Sequence, residues 1–389
     1  AGAAGSVAIR RLPADGAACQ HQDQNPEPPP PAVELIAAMP APLFTILVAA
    51  HQTAPYLRKA LDSVLAQTCG DFECLAAVEE STDGSLDIAQ EYARRDPRFR
   101  AVALPKSGSA AASRNYGIDH AAGEYLVFLD GDDWLEPDML QSCLSSLARF
   151  GHVEILQCQL RKVYAQPDGT YAGDQILSEL PDSASNQLLD GTQMILKIGV
   201  RGLTYGFSML NICRVDFLRS HRLYQHVGLV LEDFEWVWRC WIQAKSFVFI
   251  SRPLYVYRRN PQAITMEKSP RFMFDMVREF AFVPSFLREQ NPPADVLRVV
   301  ANKWLAVILG TFFHPQNDHR MTWHDRIEAR RELFTPEGYQ LLKHFASMGT
   351  LPKRIGMRLF LLSRHLGLWV PMLYFRLCYY PLLRMKGEL

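Results

Sequence analysis

The chain has 389 residues, of which 48% are hydrophobic and 21% are charged, and its 41 lysines and arginines equal its 41 aspartates and glutamates. This composition indicates a folded globular protein and excludes collagen-like, coiled-coil and wholly disordered chains, while zero net charge argues against a nucleic-acid binder, which normally carries a basic excess. The length is enough for two domains or for one large domain with an appendage.

Residues 1–41 are rich in Ala, Pro, Gln and Gly, and we expect them to form a disordered or extended leader. From residue 42 onward, β-rich apolar runs alternate with segments of helical periodicity. The predicted strands are Phe44–Ala50, Phe72–Val78, Phe99–Leu104 and Tyr125–Leu129, and the predicted helices are Tyr56–Gln67, Ser85–Arg95 and Ala110–Ala122. This α/β alternation predicts a parallel sheet with helices on both faces, and ligands of such sheets bind beyond the carboxyl ends of the strands.

The rest of the chain is less regular. Residues 150–265 read as short strands and loops that complete a sheet domain spanning 42–265, and residues 266–350 are predicted to be helical, with breaks at prolines such as Pro284. No stretch reaches the roughly 20 uncharged apolar residues of a transmembrane helix. Eight scattered cysteines without a C-x-x-C pair favour reduced thiols over a zinc site or a disulfide framework.

Three carboxylates directly follow the fourth predicted strand. Asp130 and Asp132 are two residues apart, so on an extended backbone their side chains point to the same side. Carboxylates this close repel each other unless a cation lies between them, and Mg²⁺ or Mn²⁺ is often held by one or two carboxylates together with substrate phosphates. The alternative is a solvated acidic turn, with Asp133 or Asp138 capping the next helix. The position at a strand end favours a ligand site.

The segment from residue 43 to about 140 resembles the nucleotide-sugar-binding half of family 2 glycosyltransferases, which have the GT-A fold. The matching pieces, in chain order, are Tyr56–Leu57, Leu61–Thr68, Ser81–Ser85, Ala112–Ile118, Gly123–Tyr125 and Asp130–Asp133. The resemblance extends to about Thr265. It implies a GT-A sheet domain, a divalent cation (Mn²⁺ or Mg²⁺) and inverting sugar transfer from a nucleoside-diphosphate donor.

The resemblance also implies roles for the residues at the strand ends. Asp130 would lie near the donor ribose and contribute to the metal site, and Asp132 would ligate the metal that bridges the diphosphate. Arg114 begins a helix, where an anion is favoured, and would contact the nucleotide. The family usually carries Asp-Asp-Gly where this chain reads Glu79-Glu80 with one residue fewer, and either Glu79 or Glu80 would hold the nucleoside.

An acidic pair lies in the apolar segment Leu231–Trp236. In similar enzymes the Asp of such a Glu-Asp pair is the general base, so Asp233 would take the proton of the acceptor hydroxyl and Glu232 would support it. Burying two carboxylates among apolar residues is unfavourable unless they have a partner or a task. The alternative is an ordinary helix N-terminus, where acidic residues are favoured by the helix dipole.

The segment Tyr255–Pro261 is similar to the Tyr-Arg-x-His segment of the family. Asn260 stands where a His often completes the metal shell, and its amide oxygen would be a weaker ligand. The resemblance therefore implies that Asn260 holds the metal loosely or that this loop covers the diphosphate through Arg258 or Arg259.

The segment 351–389 is predicted to be a basic amphipathic tail. Its apolar residues on one helical face are Ile355, Leu359, Leu362, Leu366, Trp369 and Leu373, and its positive charges are Lys353, Arg354, Arg358, Arg364, Arg376, Arg384 and Lys386. A basic amphipathic helix with aromatic residues fits an anionic membrane surface. The alternative is a helix packed on the protein's own core or in a dimer interface.

We therefore expect a metal-dependent inverting glycosyltransferase of the hexosyl or N-acetylhexosaminyl type, using a UDP-sugar, in the cytoplasm and peripheral on the inner membrane. Its acceptor would be a growing surface polysaccharide or a lipid-linked oligosaccharide. One alternative is a sugar nucleotidyltransferase, but the segment Ala49–Thr53 has no Gly-rich phosphate loop. The other is a non-catalytic carbohydrate-binding protein, which would not need Asp130, Asp132 and Asp233 together.

Overall fold

The computed structural model describes residues 41–165, 170–177, 180–199, 206–230, 232–259, 270–314, 321–379 and 381. Ten strands form one sheet within these residues: β1 (Phe44–Ala50), β2 (Phe72–Glu79), β3 (Phe99–Leu104), β4 (Tyr125–Asp130), β5 (Trp134–Leu135), β6 (Ile155–Ala165), β7 (Tyr171–Leu177), β8 (Leu188–Leu189), β9 (Asn211–Arg214) and β10 (Phe247–Arg259).

The helices of the sheet region are α1 (Ala54–Leu65), α2 (Ser85–Arg95), α3 (Ala111–His120), α4 (Met139–Phe150), α5 (Gly191–Ile198), α6 (Val215–Ser220) and α7 (Glu232–Gln243). The helices that follow it are α8 (Arg271–Gln290), α9 (Ala294–Phe313), α10 (Trp323–Leu333), α11 (Pro336–Met348), α12 (Leu351–Leu366) and α13 (Trp369–Tyr374), and α13 continues into a π-helical turn at Phe375–Tyr379.

The first four strands are parallel, as the alternation predicts. β1 lies between β2 and β4, with Ala50 opposite Val78 and Ala49 opposite Asp130. Strands β1 and β3 and helix α2 have the predicted bounds, and the other predicted elements of this half differ by one or two residues at their ends. The apolar residues of β1 and β4 are almost completely buried, as expected for strands covered on both faces.

The second half of the sheet is mixed, and the prediction of parallel strands, which covered only β1 to β4, is confirmed. The strand order is β3-β2-β1-β4-β9-β6-β10-β5, and β9 runs antiparallel to both β4 and β6. β5 returns antiparallel to β10 and pairs Trp134 with Val256. This pairing brings the loop after β4 beside the carboxyl end of β10.

The helices after residue 270 pack against α7 and share its core. The ring of Trp304 on α9 contacts Phe234 on α7 at 4.7 Å and Phe280 on α8 at 5.2 Å between centroids. The predicted break at Pro284 is wrong, because α8 continues through this proline.

Helix α9 is long and apolar enough to cross a membrane, although it contains Asp295, Arg298 and Lys303 and so is not an uncharged stretch. Most of it is buried inside the protein, which is typical of a core helix, so length and composition alone are weak grounds for a span. Seven cysteines fall within the described residues and all are unpaired; six of them are buried.

Candidate active site

The candidate site lies where β1, β2 and β4 end. Gly131 follows β4 directly, and its N–H donates to the Ala49 carbonyl over 2.8 Å. A Cβ atom at this position would lie 2.9 Å from Thr53 Oγ1 and 3.1 Å from the Ala49 oxygen. Glycine therefore fits this close approach of the two strand ends, whereas a Cβ atom would require its neighbours to shift.

One buried guanidinium donates hydrogen bonds to acidic side chains from both halves of the sheet domain. Arg114, in the first turn of α3, is 3% exposed. Its Nη2 atom donates to Asp130 Oδ1 at 2.8 Å, and its Nη1 atom donates to Asp233 Oδ1 at 2.7 Å and to Glu232 Oε1 at 3.0 Å. The structure thus brings together four residues that the sequence singled out separately.

The charges of this cluster shift one another's pKa values. Burial lowers the pKa of Arg114, but Asp233, Asp130 and Glu232 raise it by more, so the guanidinium stays charged. Burial raises the pKa of Asp233 against the opposing effect of Arg114. Burial and the charge of Asp233 raise the pKa of Glu232 to about 8 against the opposing effect of Arg114, which favours the protonated form of Glu232.

The three carboxylates after β4 have different surroundings. Asp130 is bound by Arg114, whereas Asp133 is buried and accepts hydrogen bonds from Tyr255 Oη at 2.8 Å and from the Arg258 N–H at 2.7 Å. Burial and the charges of Asp132 and Asp130 raise the pKa of Asp133 well above its usual range. Asp133 therefore holds β10 beside the loop and does not cap a helix, while Asp132 between them is half-buried.

The described residues contain no group of three potential metal ligands, and Asn260 lies outside them. The residues that are present still fit a hard cation shared with a substrate. Mg²⁺ and Mn²⁺ prefer carboxylate oxygens and often take only one or two from the protein. Asp132 and the second oxygen of Asp130 would supply such a donor set.

The two glutamates at the end of β2 are separated by their surroundings. Glu79 is buried and its carboxylate accepts from the Ser107 N–H at 3.0 Å and from Ser107 Oγ at 2.7 Å. Glu80 is exposed, and its backbone N–H donates to the Leu104 carbonyl. The Glu79 carboxylate is thus bound to the loop after β3, whereas the Glu80 side chain is exposed to solvent.

Arg258 is also 3% exposed, but it lies among aromatic rings. Its guanidinium carbon is 4.5 Å from the ring centroid of Tyr56, 5.3 Å from that of Trp134 and 4.9 Å from that of Tyr171. Its Nε and Nη2 atoms donate to no acceptor among the described residues. The neighbouring Arg259, the other predicted diphosphate contact, is half-buried at the end of β10.

Several residues of the site were not predicted from the sequence. Asn115 and Gln225 exchange two hydrogen bonds of 2.8 Å that fix the loop before α7 to α3, and Gln225 Oε1 also accepts from Arg114 at 3.4 Å. Tyr255 donates to Asp133 and accepts from the Asp130 N–H. Asn115 lies inside a matched motif and could have been found there, but Gln225 has no such context.

Part of the chain is similar to known glycosyltransferases. The family model described as glycosyl transferase family 2 matches residues 45–202. The putative glycosyltransferase EpsH of Bacillus subtilis is 28% identical over 256 residues, which cover 65% of this chain and 71% of EpsH. Chondroitin synthase of Pasteurella multocida is 34% identical over 129 residues, which cover 33% of this chain but only 13% of the synthase.

Solved structures show the same fold. S. aureus TarS 1–349 in complex with UDP superposes with a TM-score of 0.64 at 16% identity, over 86% of this chain and 91% of TarS 1–349. The complex of the same protein with UDP-GlcNAc gives a TM-score of 0.63 at 17% identity, with the same coverage. Residues 45–202 are therefore a family 2 glycosyltransferase domain, and the described part of the chain has the GT-A fold.

Proposed function

We propose that the protein is a metal-dependent, inverting glycosyltransferase that moves a sugar from a UDP-sugar to a hydroxyl group of a growing polysaccharide or lipid-linked glycan. The UDP and UDP-GlcNAc complexes of TarS support the donor, and the name of chondroitin synthase supports a glycan acceptor. The observation that carries the proposal is the placement of Asp130 and Asp233 on one guanidinium.

Asp233 is our candidate for the general base. Its side chain is 23% exposed, so an acceptor hydroxyl can reach the carboxylate, and its raised pKa makes it a better proton acceptor. As the acceptor oxygen attacks the anomeric carbon, Asp233 takes the hydroxyl proton. The bond between the anomeric carbon and the diphosphate oxygen breaks, its electron pair leaves with the nucleotide, and the configuration inverts.

Arg114 and Glu232 hold this base in place. Both Nη atoms of Arg114 are taken by carboxylates, so we assign the arginine a positioning role instead of the direct nucleotide contact expected from its helix position. A protonated Glu232 removes one negative charge from the cluster, which leaves the charge of Arg114 for Asp130 and Asp233. This arrangement keeps Asp233 ionised and fixed in orientation.

On the donor side, we assign the nucleoside contact to Glu80, because its carboxylate is exposed while that of Glu79 is bound to Ser107. Asp130 and Asp132 would hold Mn²⁺ or Mg²⁺. When bound, this cation would supply positive charge against the negative charge that grows on the leaving nucleoside diphosphate. The Nε and Nη2 atoms of Arg258 have no acceptor among the described residues, so Arg258 is the stronger of the two arginine candidates for the diphosphate.

The proposal is tested by measuring the hydrolysis of UDP-, GDP- and TDP-sugars with Mn²⁺, with Mg²⁺ and with a chelator. We expect a UDP-sugar to be hydrolysed only when a divalent cation is present. The same assay, with an accepting glycan, compares Asp233→Asn with Asp216→Asn, which removes an exposed carboxylate from α6.

Asp233→Asn should keep UDP binding and lose sugar transfer by about 10²- to 10⁴-fold, the usual contribution of a general base. Asp216→Asn should behave like the wild type. If neither binding nor hydrolysis of any nucleotide sugar is detected, the donor assignment fails. If Asp233→Asn transfers sugar as fast as the wild type, another group is the base.

A further inference from the structure

The last two helices and the turn that follows them carry a cluster of exposed large apolar side chains. Among the described residues, six of the thirteen exposed large hydrophobic side chains lie between residues 351 and 377. They are Leu351, Ile355, Leu362, Trp369, Leu373 and Leu377. Single exposed apolar residues are normal on a protein surface, but a cluster of this kind marks an interaction site.

The six side chains face away from the protein core. On α12, positions 351, 355 and 362 lie within about 40° of each other around the helix axis. The opposite side of α12 is buried and includes Met357 and Phe360, whose ring contacts Phe313 at 5.5 Å between centroids. The apolar face predicted from the sequence, which includes Ile355 and Leu362, is the exposed one. A second apolar face of the same helix packs on the core. The side chain of Leu366 lies outside what the structure describes.

The chain then folds back along α12, so the two exposed faces are neighbours. Gly367 ends α12 with a φ of 79°, which favours glycine. Tyr374 Oη donates to the Pro352 carbonyl over 3.0 Å. At Gly356, an added Cβ would be only 2.6 Å from Phe375 Cζ, so α12 and the π-helical turn touch at this point. Phe375 is buried, which turns Trp369, Leu373 and Leu377 outward.

The charge of this hairpin has one sign. Residues 351–387 contain seven lysines and arginines and no aspartate or glutamate, and the side chains of Arg358 and Arg376 are exposed. Apolar side chains flanked by cations match a lipid surface with anionic headgroups. A second copy of this face would instead bring like charges together, because the same patch meets itself in a two-fold dimer.

We propose that this face, formed by α12, α13 and the turn Phe375–Tyr379, binds the surface of an anionic bilayer with both helices parallel to the membrane. The exposed leucines and Ile355 enter the boundary between headgroups and acyl chains, and Trp369, which is 62% exposed, lies at the headgroup level. Arg358 and Arg376 contact lipid phosphates. The inference is independent of the chemistry proposed for the sheet domain.

The test is flotation of the full-length protein with vesicles of phosphatidylcholine alone or of equal parts phosphatidylcholine and phosphatidylglycerol. We expect binding to the mixed vesicles that weakens at high salt. Arg358→Gln and Arg376→Gln should each weaken partitioning about fivefold. The combined substitutions Leu362→Glu, Leu373→Glu and Leu377→Glu should abolish it, whereas Ile176→Glu, Leu196→Glu and Val227→Glu, at exposed apolar positions elsewhere, should not.

Each of the six substituted leucine, isoleucine and valine positions is exposed, so both combined variants should keep the thermal transition of the wild type. Absence of flotation with the mixed vesicles overturns the proposal, and so does equal binding to both vesicle types with no effect of the arginine substitutions. If the leucine substitutions convert a dimer into a monomer in light scattering and leave flotation unchanged, the face is an interface between copies and the proposal fails.

Discussion

Two arginines, each 3% exposed, lie on either side of the segment Asp130–Asp133, and their surroundings are opposite in character. Arg114 donates to three carboxylates within 3.0 Å. Arg258 contacts three aromatic rings, and only its backbone N–H reaches a carboxylate of that segment. The first region is an ionic cluster, and the second holds a buried charge by cation–π contacts.

This difference implies that Arg114 positions the acidic side chains, whereas Arg258 still has N–H groups that can bind a ligand. Both Nη atoms of Arg114 are saturated by protein acceptors, so its charge is used to position Asp130 and Asp233. A guanidinium on aromatic faces is stabilised without using its N–H groups, and Arg258 has two such nitrogens with no acceptor in the described part of the chain. We therefore expect substitutions of the two arginines to affect different measurements.

The largest effect is expected for Arg114→Met. Removing the cation leaves Asp130, Glu232 and Asp233 close together without a counter-charge, and breaking a buried ionic group in this way destabilises a protein by about 3–5 kcal/mol. Sugar transfer should be lost as well, because the base loses its orientation. The free energy of unfolding is measured by urea titration.

The matched control is Arg94→Met, which removes an exposed arginine from α2 and should change stability by less than about 0.5 kcal/mol. Equal stability of Arg114→Met and the wild type would show that the ionic cluster is not held together by this guanidinium. The contrast between the two arginine regions would then be lost.

A smaller effect, on ligand affinity, is expected for Arg258→Met. The methionine can fill the space between the rings of Tyr56, Trp134 and Tyr171, so stability should change by less than about 2 kcal/mol. Losing charge-assisted hydrogen bonds to a diphosphate should weaken UDP binding by about 10- to 100-fold. The dissociation constant is measured by calorimetry in the presence of Mn²⁺.

Arg259→Met distinguishes the two arginine candidates for the diphosphate. Because side chains alternate along β10, Arg259 points to the other side of the strand from Arg258, and we expect its substitution to leave UDP affinity within about threefold of the wild type. Unchanged affinity in Arg258→Met, with lost affinity in Arg259→Met, would reverse the assignment and make Arg258 a purely structural residue.

The sequence was informative where a local pattern coincides with a position in the fold. The run of apolar residues before Asp130 defines β4, and the end of a parallel strand is where such sheets bind ligands, so Asp130 and Asp132 could be placed before the structure was known. Asp233 could be found because a carboxylate pair interrupts an apolar helix. Each of these signals is contained within a few consecutive residues of the chain.

Pairings between distant segments could not be found in this way. Nothing near Arg114 in the sequence indicates that Glu232 and Asp233 would occupy its guanidinium, and Arg258 gives no sign of the rings around it. Glu279 on α8 is a further example, because it is completely buried and neither of its side-chain oxygens has a hydrogen-bond partner in the described part of the chain. Such features depend on tertiary neighbours alone.

Glu279→Gln tests how the acidic surplus around Arg114 is tolerated. Burial, followed by the charges of Glu235 and Glu232, raises the pKa of Glu279 from 4.5 to about 9. The folded state therefore keeps a proton that the unfolded chain releases above its ordinary pKa. The stability that this proton gives is complete at low pH and is lost as the pH rises towards 9.

Glutamine cannot titrate, so the variant should gain stability relative to the wild type by up to about 1.4 kcal/mol per pH unit between pH 5 and 9, and the gain should level off above that. Urea titrations at several pH values measure it, with Glu289→Gln, which replaces an exposed carboxylate on the same helix, as the matched control. A flat difference for Glu279→Gln would mean that Glu279 is ionised in the folded protein. The negative charges of this region would then be balanced by cations, as Arg114 balances Asp130 and Asp233, and not by bound protons.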